Sequence, residues 1–201
     1  MLNNIPNILT LLRIVLIPVF IIIFYLPWQY AHLTCAIVFS LAAVTDWLDG
    51  YLARKLEQVS ALGAFLDPVA DKLMVAAALI LLVEADPSPL MSIPAVVIIG
   101  REITISALRE WMAELGARAQ VAVSVIGKFK TAFQMLALVL LILRDDVLGL
   151  PVYIIGYVLL YVAVVLTLWS MSVYISAAWP SLNGGSSTLS ESQPAETDET
   201  A

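Results

Sequence analysis

Six apolar stretches, each near the length of a bilayer crossing, alternate with short polar breaks. The first, Leu9–Leu26, ends at Pro27 and Trp28. The second runs from Ala31 to Arg54, the third from Ala61 to Glu84 and the fourth from Met91 to Glu114. A fifth covers Val121–Leu143 and a sixth Pro151–Trp179. About 20 apolar residues suffice to cross the hydrocarbon as a helix. The pattern predicts an all-α membrane protein of six transmembrane helices, with no internal repeat and no second domain. Ahead of it a short interfacial segment is expected. Pro6 suits a first helical turn, where its missing N–H is harmless, and Asn3, Asn4 and Asn7 are candidate caps. Tyr25, Trp28 and Tyr30 read as an aromatic belt. The expected membrane domain is 1–179. Residues 180–201 are rich in Ser, Thr, Gly and Glu, bury too little apolar surface to order themselves, and are expected to be disordered.

Composition agrees. The chain is 61% hydrophobic and 13% charged over 201 residues, against about 45–50% apolar for a soluble domain. The single cysteine, Cys35, cannot form an internal disulfide. The net charge of −6 comes largely from Glu191, Glu196, Asp198 and Glu199 near the C-terminus. It therefore carries no signal for nucleic acid, and none is expected as a partner. The first apolar run shows no small-residue cleavage pattern, so it is expected to remain as a span. Basic residues mark the cytoplasmic side. Arg54, Lys55 and Arg118 fall in loops on one side, while the opposite turns hold only Arg144. The expected topology is N-in, C-in. His32 sits at the outer end of the second span and reads as interfacial.

Charge then singles out one region. Asp46 and Asp49 lie in the second span, Asp67 and Asp71 in the third, all towards the cytoplasmic side. An ionised residue in a span costs some ~2.5–3.5 kcal/mol on insertion scales. Asp46, Asp49 and Ala53 share one helical face, flanked by Gly50 and Arg54; Gly63, Asp67 and Asp71 form a similar row. The short loop predicts antiparallel neighbours whose rows face each other. Hard oxygen ligands favour Mg²⁺ or Mn²⁺. Two such ions can clamp the attacking and leaving oxygens of a phosphoryl displacement. Gly50 and Gly63 leave room for a flat group or a diphosphate to approach the backbone. The plainer alternative pairs single aspartates with Arg54, Lys72 or Arg101 as intramembrane ion pairs. That account leaves the glycines unexplained.

The string Asp46-x2-Asp49-Gly50-x2-Ala53-Arg54-x8-Gly63-x3-Asp67-x3-Asp71 resembles, without a departure, the signature of the CDP-alcohol phosphotransferase family. The resemblance implies a six-helix membrane fold, usually a homodimer, with a site open to the cytoplasm. Family members move the phosphatidyl or phosphoalcohol part of a CDP-linked donor onto an alcohol and release CMP. On the resemblance, Asp46, Asp49 and Asp67 ligate two metal ions. Asp71 completes the cluster and acts as the base for the attacking hydroxyl. Gly50, Arg54 and Gly63 contact the cytidine and diphosphate.

Three further runs resemble the bacterial phosphatidylglycerophosphate synthase branch of that family. They are Asn4-Ile5-Pro6-Asn7-Ile8-Leu9-Thr10-Leu11-Leu12-Arg13, the run from Arg101 to Trp111, and Gly127-Lys128-x-Lys130-Thr131-x2-Gln134. That branch implies CDP-diacylglycerol as donor, sn-glycerol 3-phosphate as acceptor and the bacterial cytoplasmic membrane as location. Asn7 and Thr10, one turn apart, are candidates to reach the nucleotide, or else caps and helix–helix bonds. The acceptor is a dianion and calls for a basic pocket. Arg101, Arg109, Lys128 and Lys130 are the candidates. Their alternatives are pairing of Arg101 with Glu102 and of Arg109 with Glu110, and snorkelling. Spans two, three and four are expected to form the pocket. Other members of the family, acting on phosphatidylglycerol, serine or inositol phosphate, are the competing reading. An ion-coupled transporter is a more distant one.

Overall fold

The computed structural model describes residues 5–56, 61–114, 125–146 and 149–184. The side chains of Asp49, Gly50 and Arg54 on α2, and of Lys128 on α5, lie outside the described set. So do the loop with Arg118 and residues 185–201, where the disordered tail was expected.

The described residues form six helices: α1 Ile5–Tyr25, α2 Ala31–Leu56, α3 Ala61–Ala85, α4 Pro89–Glu114, α5 Val125–Leu143 and α6 Val152–Gly184. Residues 1–4, where the interfacial segment was expected to begin, lie outside the described set. Pro6 falls in the first turn of the same helix that crosses the apolar stretch. The last helix runs past residue 179 to Gly184. Among the described residues, three helical stretches are long and apolar enough to cross a membrane, Asn7–Tyr25, Pro89–Ala113 and Val152–Ser176. Ala31–Asp46 and Phe129–Leu143 are shorter apolar segments. Asp46 lies on α2, and Asp67, Asp71 and Lys72 lie on α3.

The helices close a ring in the order α1, α2, α5, α6, α4, α3, with smaller contacts of α3 to α2 and α5 across it. Each contributes a fully buried apolar side chain to one core: Phe20, Phe39, Leu79, Ile98, Leu138 and Leu160 in chain order. Large apolar side chains also cover the outside. Val96 is 70% exposed and Ile103 65%, as expected where the solvent is lipid. Association of such helices relies on close packing. At Gly156 on α6 an added Cβ would lie 2.9 Å from the Leu141 side chain and 3.2 Å from its backbone nitrogen. That contact belongs to the most extensive helix pair, α5 and α6.

Local polar bonds finish the bundle. Pro94 lacks the N–H that would pair with the Leu90 carbonyl, and that carbonyl accepts from the Tyr161 hydroxyl at 3.1 Å instead. Arg144 ends α5 with a left-handed φ of 62° and donates to the Ala85 carbonyl at the end of α3 at 3.1 Å. In the α3–α4 turn, Asp86 accepts from the hydroxyls of Tyr153, at 2.8 Å, and Tyr157. These bonds hold the end of the bundle opposite the aspartates.

Candidate active site

Helices α2 and α3 carry the motif aspartates. The two touch over only a small area, and α1 packs extensively along both. The loop is short, but α1 occupies the space beside both rows. Its buried face is polar. Among the described side chains of α1, the buried ones are Asn7, Thr10, Arg13 and Phe20. Arg13, 1% exposed, pairs through Nη1 with Asp46 Oδ1 on α2 at 2.6 Å. The Thr10 hydroxyl donates to Asp67 Oδ1 on α3. A small cavity opens between Arg13, Asp46 and Asp71, with Phe39, Met74 and Met135 as its apolar wall. Asp46 lies within electrostatic reach of Asp67 and Asp71. Gly63 is buried, at the start of α3.

A second cluster adjoins the first. Glu102 on α4 accepts from Arg101 Nη1 at 2.8 Å and from Lys130 Nζ on α5 at 2.9 Å. Arg101 also donates to Ser170 on α6 at 3.0 Å. Lys72, next to Asp71, donates to Ser106, whose hydroxyl returns to the Glu102 carbonyl at 2.6 Å. Glu102 is within electrostatic reach of Asp71. Lys130 is 3% exposed. Arg109 is exposed and bonds to the Tyr174 hydroxyl at 2.9 Å, not to Glu110.

The structure thus brings Asp46, Asp67 and Asp71 together with Thr10, and sets Arg101 and Lys130 beside them. Arg101 and Lys130 share one carboxylate, and Arg109 stands apart, stacked on Tyr174 with 5.3 Å from its guanidinium carbon to the ring centroid. Pocket formation is not confined to α2, α3 and α4. The cavity is lined from α1 by Arg13, from α2 by Phe39 and Asp46, from α3 by Asp71 and Met74, and from α5 by Met135, while Lys130 of α5 and Ser170 of α6 belong to the adjoining cluster around Arg101 and Glu102. Sequence reasoning gave no role to Arg13 or to Glu102 as a hub. Arg13 did carry a signal: an arginine in an apolar helix with no acid of its own must find one elsewhere.

The donor set fits a divalent metal. Asp46, Asp67 and Asp71 offer only hard oxygen ligands. Arg13 pairs with Asp46, and Lys72 is the neighbouring cation of Asp71. No group of three carboxylate side chains converges tightly enough to hold an ion among the described residues, which leave out the Asp49 side chain.

This chain belongs to the CDP-alcohol phosphatidyltransferase family, whose model matches residues 3–169. The family is generally divalent-metal dependent. Curated relatives bear the name CDP-diacylglycerol–glycerol-3-phosphate 3-phosphatidyltransferase. The protein of Sodalis glossinidius is 59% identical over 175 residues, covering 87% of this chain and 94% of the relative. That of Pseudomonas fluorescens is 56% identical over 180 residues, covering 89% and 92%. One from Yersinia pestis is 55% identical over 179 residues, covering 89% and 97%.

Proposed function

We propose that this protein transfers the phosphatidyl group of CDP-diacylglycerol to sn-glycerol 3-phosphate, forming phosphatidylglycerophosphate and CMP. The observation that carries the reading is the 55–59% identity, over nearly the full length of both chains, to relatives bearing that name. Asp46, Asp49, Asp67 and Asp71 would hold the metal, taken as two Mg²⁺ or Mn²⁺ ions, which supplies neutralisation of the diphosphate charge. Gly50, Arg54, Gly63 and Asn7 face the CDP part of the donor. The 1-hydroxyl of the acceptor attacks the lipid-side phosphorus. Its proton passes to Asp71 as the new P–O bond forms and the bond to the CMP phosphate breaks.

Arg101, Lys128 and Lys130 would take the acceptor phosphate, with Arg109 apart from them on Tyr174. The Glu102 carboxylate holds Arg101 and Lys130 until a better anion arrives. The distribution of Lys and Arg supports an N-in, C-in arrangement in the bacterial cytoplasmic membrane, with the site on the cytoplasmic side, where a soluble acceptor is found. A homodimer in the bilayer is part of the same reading.

The test is CMP release from CDP-diacylglycerol with a panel of acceptors. Glycerol 3-phosphate should support turnover, while serine, phosphatidylglycerol and inositol phosphate should not. Turnover with one of those and none with glycerol 3-phosphate would overturn the assignment.

A further inference from the structure

We propose that α1 is a strut that sets the spacing and aim of the motif carboxylates, with Arg13 as the positioning residue for Asp46 and Thr10 for Asp67. The inference rests on the metal reading of those carboxylates given above.

Helix α1 is inverted relative to an ordinary core helix. Asn7, Thr10 and Arg13 are its buried face near the site, at 3%, 1% and 1% exposure, while Ile8, Leu12 and Val15 point outward. Thr10 and Arg13 are one turn apart, about 4.5 Å along the axis. One reaches α3 and the other α2. Since α2 and α3 share little surface, their own packing sets the distance between Asp46 and Asp67 only weakly, and α1 spans the gap. Both contacts run through Oδ1 of the carboxylate. A charge-assisted bond from a buried arginine fixes a carboxylate more firmly than a neutral one. Threonine, branched at Cβ, holds its hydroxyl in a restricted χ1. Partners that orient metal-ligating carboxylates typically matter by 10–100-fold in metal affinity.

The sign of the effect separates positioning from simple charge. Removing a cation beside a cation site strengthens metal binding on Coulomb grounds alone. Removing a positioning residue weakens it. The experiment measures Mn²⁺ binding to the full-length protein in lipid nanodiscs by electron paramagnetic resonance of free Mn²⁺, with no CDP-lipid present. The arms are wild type, Asp46→Asn, Arg13→Met, Thr10→Val and Thr10→Ser. Arg13→Met and Thr10→Val should each weaken binding about tenfold or more, and Thr10→Ser should hold it near wild type.

Binding as tight as or tighter than wild type in Arg13→Met overturns the proposal, as does unchanged binding in Thr10→Val. If Arg13→Met does not yield folded protein, the Thr10→Val and Thr10→Ser pair decides. Loss of binding in Asp46→Asn with full binding in Thr10→Val sinks the strut alone. Full binding in Asp46→Asn, or none in wild type, sinks the metal reading together with it.

Discussion

Lys130 of α5 donates to Glu102 of α4 at 2.9 Å, and the lysine is almost wholly buried. Arg101 reaches the same carboxylate oxygen. One acid therefore holds two cations beside Asp71. On the proposed function, an acceptor dianion would take the place that the Glu102 carboxylate holds between these cations. Lys130→Met should raise the KM for glycerol 3-phosphate about tenfold, equivalent to 1.4 kcal/mol, and leave the KM for CDP-diacylglycerol within about twofold. Steady-state kinetics with each substrate varied in turn checks this. Equal changes in both constants would remove Lys130 from the acceptor site.

The carboxylates tolerate no such partial loss. Asp67→Ala or Asp71→Ala should abolish CMP release, with the protein still extracted from membranes as a single gel-filtration species. Chelation of divalent metal should silence the wild type, and added Mg²⁺ or Mn²⁺ should restore it. Near-normal turnover in either variant would contradict the assigned roles.

Stability should depend on the close pairing of α5 with α6. Gly156→Ala puts a methyl group 3.2 Å from the Leu141 backbone nitrogen, which cannot swing aside as a side chain can. Overpacking of this kind typically costs about 1–3 kcal/mol. A fall in Tm in detergent, with the catalytic rate at low temperature retained, is the expected outcome. An unchanged Tm would mean that α6 shifts freely along α5.

At the far end, the hydroxyls of Tyr157 and Tyr153 hold the Asp86 carboxyl below its ordinary value. A lowered folded pKa stabilises the fold above the unfolded value, about 3.9 for aspartate. That stability is lost as pH falls through the folded value. Between pH 5 and pH 2 the wild type should lose stability that Asp86→Asn never had. Thermal melts of both proteins across that range read the difference. Parallel curves would show that Asp86 contributes no pH dependence.

Much of this was legible in the sequence. The start at Ala31 and the end at Leu143 coincide with the expected boundaries. Proline, tryptophan and charge mark those ends because each disfavours burial of the chain in hydrocarbon. The aspartate motif was legible too, since charge in an apolar helix is costly and its spacing is a helical period. The partner of each charge was not. Arg101 had Glu102 beside it in sequence, yet that acid also takes Lys130 from another helix, and Arg109 turns to Tyr174 rather than to Glu110.

The sequence by itself determined the helices, the spacing of the motif carboxylates and the family to which the chain belongs. Only the tertiary structure decided that α1 lies along both motif helices, that Arg13 meets Asp46, and that Glu102 gathers Arg101 and Lys130. The reason is physical. A helix in lipid is apolar on its outer as well as its inner face, so hydrophobic periodicity does not say which side packs inward. Polar side chains on separate helices find one another only when the bundle closes.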